Sequence, residues 1–387
     1  MHIIPRRNGE NSSPSRPRSH LSNGFERHGC SAKTDESTAE DLTLYESEYR
    51  LVNISLGTPP QNFTVAVDLF YHSDLSLFDS KVNTTIRRLS NVRKFNTNDS
   101  STFFIVNKNY TSDYYGTVGY VGSDIMQFGD IRQRLSFGLI DNVTNYYGYY
   151  YFSCDGALGL SIFLESHSNI SGMQQIMSNQ ELPIFSMWYN RSLSYEDSVA
   201  QMTLGHENNQ NCLSDWVYAP SVQVNEFGYT ESEYAVHLSS IILEIDGASR
   251  PVNVKVNRTL VIDSWGIDQY GFMPYYLKFF FVTAANATWH RNRYAYFADC
   301  DLNKAKNVIL NIGGSDGNLD ESSRKIVVTP AEYIRKLPKR NECVVNINGF
   351  NDVSNNRIQM PMQFYNGHCY SYNIKTRMIG ISTSVKN

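Results

Sequence analysis

Two aspartates are the strongest candidates for chemistry in this sequence. Asp68 follows the apolar run at residues 65–67, and Asp263 follows a similar run at residues 260–262, 195 positions later. Two buried strands that each end on a carboxylate could bring two acids together to share one proton and activate one water. The pattern therefore predicts hydrolysis, and we expect the bond that is cut to be a peptide bond.

The length and composition predict a large all-β protein with two lobes. The chain has 387 residues, of which 41% are hydrophobic, and it contains 26 Tyr and 20 Phe. A chain of this length can bury one large core or two medium ones. Aromatic side chains favour strands, and stretches with helical periodicity are few.

The pattern along the chain divides it into a polar leader and two lobes. Residues 1–45 are rich in Ser, Arg and Pro and nearly free of aromatic residues, which predicts disorder or a leader segment without a fold. Short alternating runs then begin, and the Gly-Thr-Pro-Pro turn at residues 57–60 predicts a β-hairpin. We expect the N-terminal lobe over residues 46–195 and the C-terminal lobe over residues 196–387. The best helix candidate is the segment 274–285, which has Pro in its first turn.

The charge distribution argues against nucleic-acid and membrane partners. The formal net charge is −4, and Lys and Arg are spread along the chain, so the basic patch that a nucleic-acid backbone needs is missing. No run of 18 apolar residues occurs, and we therefore expect no membrane-spanning segment and no membrane partner. The nine His are not spaced as metal ligands, and we expect neither a metal nor another cofactor.

The glycosylation sequons favour the secretory route, whereas the N-terminus does not. Asn-x-Ser/Thr triplets are typical of a secreted or lysosomal glycoprotein, although some arise by chance in a chain rich in Asn and Ser. The eleven asparagines are Asn11, Asn53, Asn62, Asn83, Asn98, Asn109, Asn142, Asn169, Asn190, Asn257 and Asn286. The first residues lack the apolar core of a signal peptide. Six Cys are compatible with disulfides, but the count alone assigns no pairs.

Several motifs together resemble one known family. The run at residues 54–68, Ile-Ser-Leu-Gly-Thr-Pro-Pro-Gln-Asn-Phe-Thr-Val-Ala-Val-Asp, closely resembles the first catalytic strand region of the pepsin-like aspartic peptidases. Further matches follow in the family's order at residues 155–160, 182–186, 261–264 and 297–300. The resemblance spans roughly residues 47–385.

The resemblance implies an all-β, bilobal fold, with two β-barrel-like lobes and a substrate cleft between them. It places Asp68 and Asp263 opposite each other as the catalytic pair. It also implies that Cys300 is bonded to Cys343, a pair that we favour on the sequence as well because the two residues flank one C-terminal segment.

The resemblance also implies an activity and a set of supporting residues. The activity is that of an aspartic endopeptidase, which acts as a monomer on an extended peptide or protein substrate. Ser264 keeps the hydroxyl that follows the second acid, and Gly266 stands where the family has an outer hydroxyl. Tyr110 is the expected tyrosine of the hairpin that closes over the substrate.

Four further residues depart from the family's pattern. Each acid in the family is followed by Thr or Ser and then by Gly, but here Leu69 and Phe70 follow the first acid and Trp265 takes the second Gly position. Pro361 stands where a Gly packs behind the second loop, and Pro has no N–H to donate. Because a misplacement of ~1 Å can cost ~100-fold in rate, the alternative is a catalytically dead homologue that binds peptides or proteins.

Overall fold

A computed structural model shows a chain built mostly of β-strands. It describes residues 41–46, 50–68, 74–83, 89, 91–111, 117–129, 131–143, 154–161, 171–178, 180–189, 199–222, 224–226, 229–232, 234–243, 252–262, 271–314, 324–337, 340–350 and 357–385.

The described residues of the first half of the chain form ten strands and one short helix. They are β1 (Asp41–Glu46), β2 (Arg50–Leu56), β3 (Gln61–Asp68), β4 (Leu75–Asn83), β5 (Phe104–Thr111), β6 (Thr117–Phe128), β7 (Ile131–Val143), β8 (Gly156–Gly159), α1 (Gly172–Met177), β9 (Ile184–Tyr189) and β10 (Val199–Leu204).

Sixteen strands and three helices lie within the described part of the second half. They are β11 (Val217–Pro220), β12 (Val224–Glu226), β13 (Tyr229–Ser232), β14 (Ala235–Leu243), β15 (Val252–Val261), β16 (Gly271–Pro274), α2 (Tyr275–Ala284), β17 (Thr288–His290), β18 (Ala295–Ala298), β19 (Val308–Ile312), β20 (Arg324–Val328), α3 (Pro330–Tyr333), β21 (Ile334–Lys336), β22 (Cys343–Val345), β23 (Ile347–Phe350), β24 (Arg357–Gln359), α4 (Met362–Gly367), β25 (His368–Asn373) and β26 (Met378–Thr383).

Six strands of the first half close into a barrel, which we call the first barrel. Their order is β2-β3-β8-β4-β7-β6, and β6 pairs back onto β2. The interior is filled by fully buried apolar side chains such as Phe63, Leu77 and Phe137. Closure removes the open edges from this set of strands, and the interior of so small a barrel is filled by side chains.

The second half repeats the central plan of the first barrel. The seven-stranded sheet, which we call the second sheet, has the order β20-β19-β14-β15-β24-β16-β23. In the first barrel the later strand β8 lies between β3 and β4 and runs parallel to β3. In the second sheet β24 lies between β15 and β16 and runs parallel to β15. The two halves therefore place the ends of β3 and β15 in equivalent positions.

A third set of strands joins the two halves. We call it the shared sheet: its order is β11-β26-β25-β9-β10-β1, and it continues from β1 into β2 of the first barrel. The boundary expected between residues 195 and 196 falls between β9 and β10, which are neighbours in this sheet.

The expectation that residues 1–45 have no fold is wrong at their C-terminal end. Strand β1 starts at Asp41 and pairs with β10 through the register Asp41↔Thr203 to Tyr45↔Val199. The polar composition of the leader gave no sign of this strand, because its partner lies more than 150 residues later in the chain.

Several local predictions agree with the structure. Strands β2 and β3 form the expected hairpin, with Leu56 opposite Gln61. Gly57 starts its turn at φ +95°, and a Cβ there would lie 2.9 Å from the Ser100 Oγ, so only glycine suits this position. Helix α2 follows Pro274, which occupies the N-cap.

The described cysteines lie in disulfides. Cys300 is bonded to Cys343, the pair that the resemblance implied, and Cys212 is bonded to Cys369. Cys154 is also disulfide-bonded, so it is not a free thiol nucleophile. Among the described helices, none has the length and apolar character needed to cross a membrane.

Candidate active site

Asp68 is a buried carboxylate at the end of a central apolar strand. It is the last residue of β3, and only 3% of its surface is exposed. Residues 63–67 before it are all buried, because β3 lies between β2 and β8 and packs on both faces. A buried acid carries a desolvation cost, so an acid at the tip of such a strand is a candidate for function.

Two consecutive amides, those of Gly159 at the end of β8 and of Leu160 after it, bind the two residues that flank the segment 69–73. The Leu160 N–H donates to the Asp68 carbonyl at 2.7 Å, and the Gly159 N–H donates to the Asp74 carbonyl at 2.8 Å. Gly159 is also the partner of Asp68 in the parallel register. Both ends of the segment 69–73 are therefore held by one short strand, while the segment itself, with Leu69 and Phe70, lies outside the described residues.

The equivalent position in the second sheet can be followed as far as Ile262. Strand β15 pairs with β24 through Leu260↔Ile358 and Val261↔Gln359. Ile262 is buried, and Asp263, Ser264, Trp265 and Gly266 lie outside the described residues. The separation of the two carboxylates therefore stays a prediction.

The strand pairing places Pro361 in the role that Gly159 has in the first barrel. Val261 lies opposite Gln359, as Ala66 in the first barrel lies opposite Ala157. Pro361 follows Gln359 by two residues, as Gly159 follows Ala157. Pro361 cannot donate the hydrogen bond that Gly159 makes. Gly271 accommodates the proline ring, because a Cβ at Gly271 would lie 2.8 Å from Pro361 Cδ.

A tyrosine connects the two equivalent positions. The Tyr234 hydroxyl donates to the Leu160 carbonyl at 2.6 Å, in a buried contact. The Ile262 N–H donates to the Tyr234 carbonyl at 2.8 Å. The residue before Asp263 is therefore linked through one side chain to the residue that binds the backbone of Asp68.

An ionic network fixes the start of β8. Asp155 accepts from the Thr64 N–H at 2.7 Å, from the Arg93 N–H at 2.7 Å and from the Arg93 Nε at 2.8 Å. The Arg93 guanidinium also donates to the Thr64 hydroxyl, which in turn donates to the Asn53 side chain. This network ties β8 to β3, four residues before Asp68.

Tyr110, the residue expected to lie over the substrate, is buried in the structure. It lies on β5 opposite Gly119 and is only 4% exposed. Its ring packs in a cluster with Phe78, Val121 and Ile140, and it fills the space beside Gly138, where a Cβ would be 2.1 Å from its Cζ. The hairpin tip at residues 112–116 lies outside the described residues, so a role for Tyr110 over the substrate stays a prediction.

Sequence reasoning missed Tyr234, Arg93 and the role of Asp155. Arg93 and Asp155 are 62 positions apart, and Tyr234 and Leu160 are 74 positions apart. A pattern of neighbouring residues cannot indicate contacts between residues so far apart in the chain. Within the described part of the chain, no group of three or more His, Cys, Asp or Glu is arranged to bind a metal ion.

Comparison with known proteins agrees with this architecture. A sequence model of the family described as eukaryotic aspartyl protease matches residues 48–383. Aspartic protease 1 of Caenorhabditis elegans is 25% identical over 303 residues, which cover 75% of this chain and 72% of that protein. Aspartic protease 17 of the same organism is 23% identical over 316 residues, covering 76% of each chain. Pepsin B of Canis lupus familiaris is 30% identical over 192 residues, covering 48% of each chain. Because the family match spans most of the sequence, the chain belongs to the eukaryotic aspartyl protease family.

Proposed function

We propose that the protein is an aspartic endopeptidase that cuts peptide bonds with a water activated by Asp68 and Asp263. The observation that carries the proposal is the repeated insertion of a parallel strand, β8 beside β3 and β24 beside β15. The first pair ends at Asp68, and the second leads to Asp263 two residues after Val261. Equivalent strand ends that meet across a cleft are how two carboxylates come to share a proton.

The mechanism needs one ionised and one protonated aspartate that titrate as a pair. The ionised carboxylate takes a proton from the water as the water oxygen bonds to the peptide carbonyl carbon. The protonated aspartate gives its proton to the carbonyl oxygen, which forms the tetrahedral intermediate. The first aspartate then gives the proton that it took from the water to the leaving nitrogen as the C–N bond breaks, and the second aspartate recovers its proton from a hydroxyl of the intermediate. Since one acid must stay protonated, we expect an acidic pH optimum.

The deciding experiment is proteolysis of a denatured protein substrate between pH 2 and pH 7. We expect cleavage by the parent chain, and loss of at least about 1000-fold in rate in Asp68→Asn and in Asp263→Asn. Asp299→Asn is the matched control, because Asp299 is an exposed aspartate paired with Lys304 and is remote in sequence from both strand ends. Cleavage that survives in either Asn variant would refute the assignment of the pair.

The second candidate is a non-catalytic module that binds peptides in the same cleft. Pro361 favours it, because proline lacks the N–H that Gly159, at the matching position of the first barrel, donates to the Asp74 carbonyl. This candidate predicts that the parent binds extended peptides without cutting them. It also predicts that Leu69→Thr, Phe70→Gly, Ser264→Thr and Trp265→Gly in one chain create proteolysis that the parent lacks.

We also propose that the protein is a secreted or lysosomal glycoprotein and a monomer. Of the eight sequon asparagines within the described residues, seven are exposed and Asn142 is half-buried. Exposure is what enzymatic glycosylation of a folded chain's surface requires. Digestion with a peptide N-glycosidase should lower the mass of the protein purified from its source.

Size-exclusion chromatography with light scattering should give the mass of one chain, and a dimer mass would contradict the monomer.

A further inference from the structure

A continuous set of hydrogen bonds runs from Asp68 to the residue before Asp263. The Leu160 N–H donates to the Asp68 carbonyl at 2.7 Å, and the Leu160 carbonyl accepts from the Tyr234 hydroxyl at 2.6 Å. The Tyr234 carbonyl then accepts from the Ile262 N–H at 2.8 Å. The first and third bonds start at the strand ends that lead to the two acids, and the second bond joins Leu160 to Tyr234.

The second of these three hydrogen bonds is made by a side chain, whereas the first and third join backbone groups. A strand ladder repeats its bonds at every second residue, so the loss of one bond is shared by its neighbours. The contact between Tyr234 and Leu160 is instead a single hydroxyl that crosses from the second half of the chain to the first. The alignment of the two strand ends through this path therefore depends on one atom.

The ring of Tyr234 is held by the shared sheet. It meets the Phe185 ring edge to face at a centroid distance of 5.5 Å, and the Tyr372 ring at 5.0 Å. Phe185 belongs to β9 and Tyr372 to β25, which are paired neighbours in that sheet. Because aromatic pairs of this geometry restrict the ring, its hydroxyl is presented to Leu160 in one orientation.

We propose that Tyr234 is a positioning residue that aligns the ends of β3 and β15, the strands that lead to Asp68 and Asp263. It acts through Leu160 on the end of β3 and through Ile262 on the end of β15. Its effect on catalysis rests on the function proposed above, whereas the mechanical link between the two strand ends does not.

The control for this proposal is another buried tyrosine with the same bond. The Tyr333 hydroxyl donates to the Lys306 carbonyl at 2.6 Å, and Tyr333 is fully buried. This contact lies wholly in the second half of the chain, and neither of its residues belongs to the set of hydrogen bonds from Asp68 to Ile262. Tyr333→Phe therefore removes the same chemistry from outside that set, while Tyr234→Phe keeps the ring and its aromatic contacts.

The first measurement is amide hydrogen exchange at Leu160 and Ile262, which needs no catalytic activity. We expect exchange at both amides to be at least ~10-fold faster in Tyr234→Phe than in the parent, because the loss of the hydroxyl frees both strand ends to open locally. In Tyr333→Phe both rates should stay within about twofold of the parent. Unchanged exchange at either amide in Tyr234→Phe would overturn the link.

The second measurement is steady-state proteolysis. If Tyr234 positions the acids, Tyr234→Phe should lower kcat by ~10- to 100-fold and leave KM within about twofold, because misplaced catalytic groups slow the chemical step without weakening substrate binding. Tyr333→Phe should keep the parent's kcat. Faster exchange with an unchanged kcat would overturn the positioning role. If the parent cuts no substrate, the proposed function fails, and the exchange rates alone confirm or refute the link.

Discussion

Removal of the Asp155 carboxylate should destabilise the first barrel much more than removal of its ionic partner. The Asp155 side chain is 9% exposed, whereas the Arg93 side chain is 53% exposed. In Asp155→Ala the buried Thr64 N–H loses its acceptor at 2.7 Å, which costs about 1–3 kcal/mol. The Arg93 N–H and guanidinium can bind water instead, so the loss of each contact adds only ~0.5–1 kcal/mol to the loss of stability.

These contributions give a loss of about 3 kcal/mol for Asp155→Ala and about 1 kcal/mol for Arg93→Ala. Urea unfolding followed by tryptophan fluorescence measures both, and the slope of the free energy against urea should not change. The reasoning would be refuted by equal losses in the two variants, because the exposed guanidinium would then outweigh the backbone donors. A loss below about 1 kcal/mol for Asp155→Ala would refute it as well.

Two further perturbations have directions that follow from the structure. The Cys212–Cys369 bond spans 157 residues and the Cys300–Cys343 bond spans 43, so chain entropy predicts losses of roughly 5 and 4 kcal/mol when each pair is replaced by Ser. Denaturant unfolding of the two double variants should show the larger loss for the first pair, and the reverse order would contradict the entropic account. Burial raises the pKa of Asp141. The folded carboxyl therefore binds its proton more tightly than the unfolded one, and the ionised group destabilises the protein above the unfolded pKa of about 3.9. Asp141→Asn should raise the thermal midpoint at pH 7 and leave it unchanged at pH 3, where both states are protonated; equal midpoints at pH 7 would show that this burial has no energetic effect.

The parts of this structure that could be predicted depend on residues that are neighbours in the chain. The β2–β3 hairpin follows from alternation around a Gly-Thr-Pro-Pro turn, and α2 follows from a proline before an apolar run. The family motifs predicted the two-lobed plan and the position of Asp68. They could do so because each motif is short and its residue types are tied to one backbone geometry.

The part that escaped prediction depends on contacts between distant residues. Strand β1 is stabilised by β10, and Asp155 is held by Arg93 from another part of the barrel. The ring of Tyr110 has neighbours from four other segments, and its expected role over the substrate stays a prediction. Nothing in the residues around Tyr234 indicates that its hydroxyl reaches Leu160.

The shared sheet has a consequence for the synthesis of the chain. Strand β9, with the apolar sequence Ile-Phe-Ser-Met-Trp-Tyr, pairs with β10 on one side and with β25 on the other. Strand β25 begins 179 residues after β9 ends, so at ~5–20 residues per second the ribosome needs roughly 10–40 s to supply the missing partner. During that interval the nascent chain presents an unpaired apolar edge, which is the kind of template on which chains aggregate. A chaperone that covers β9 should therefore raise the yield of folded protein more than one that acts after the C-terminus is released.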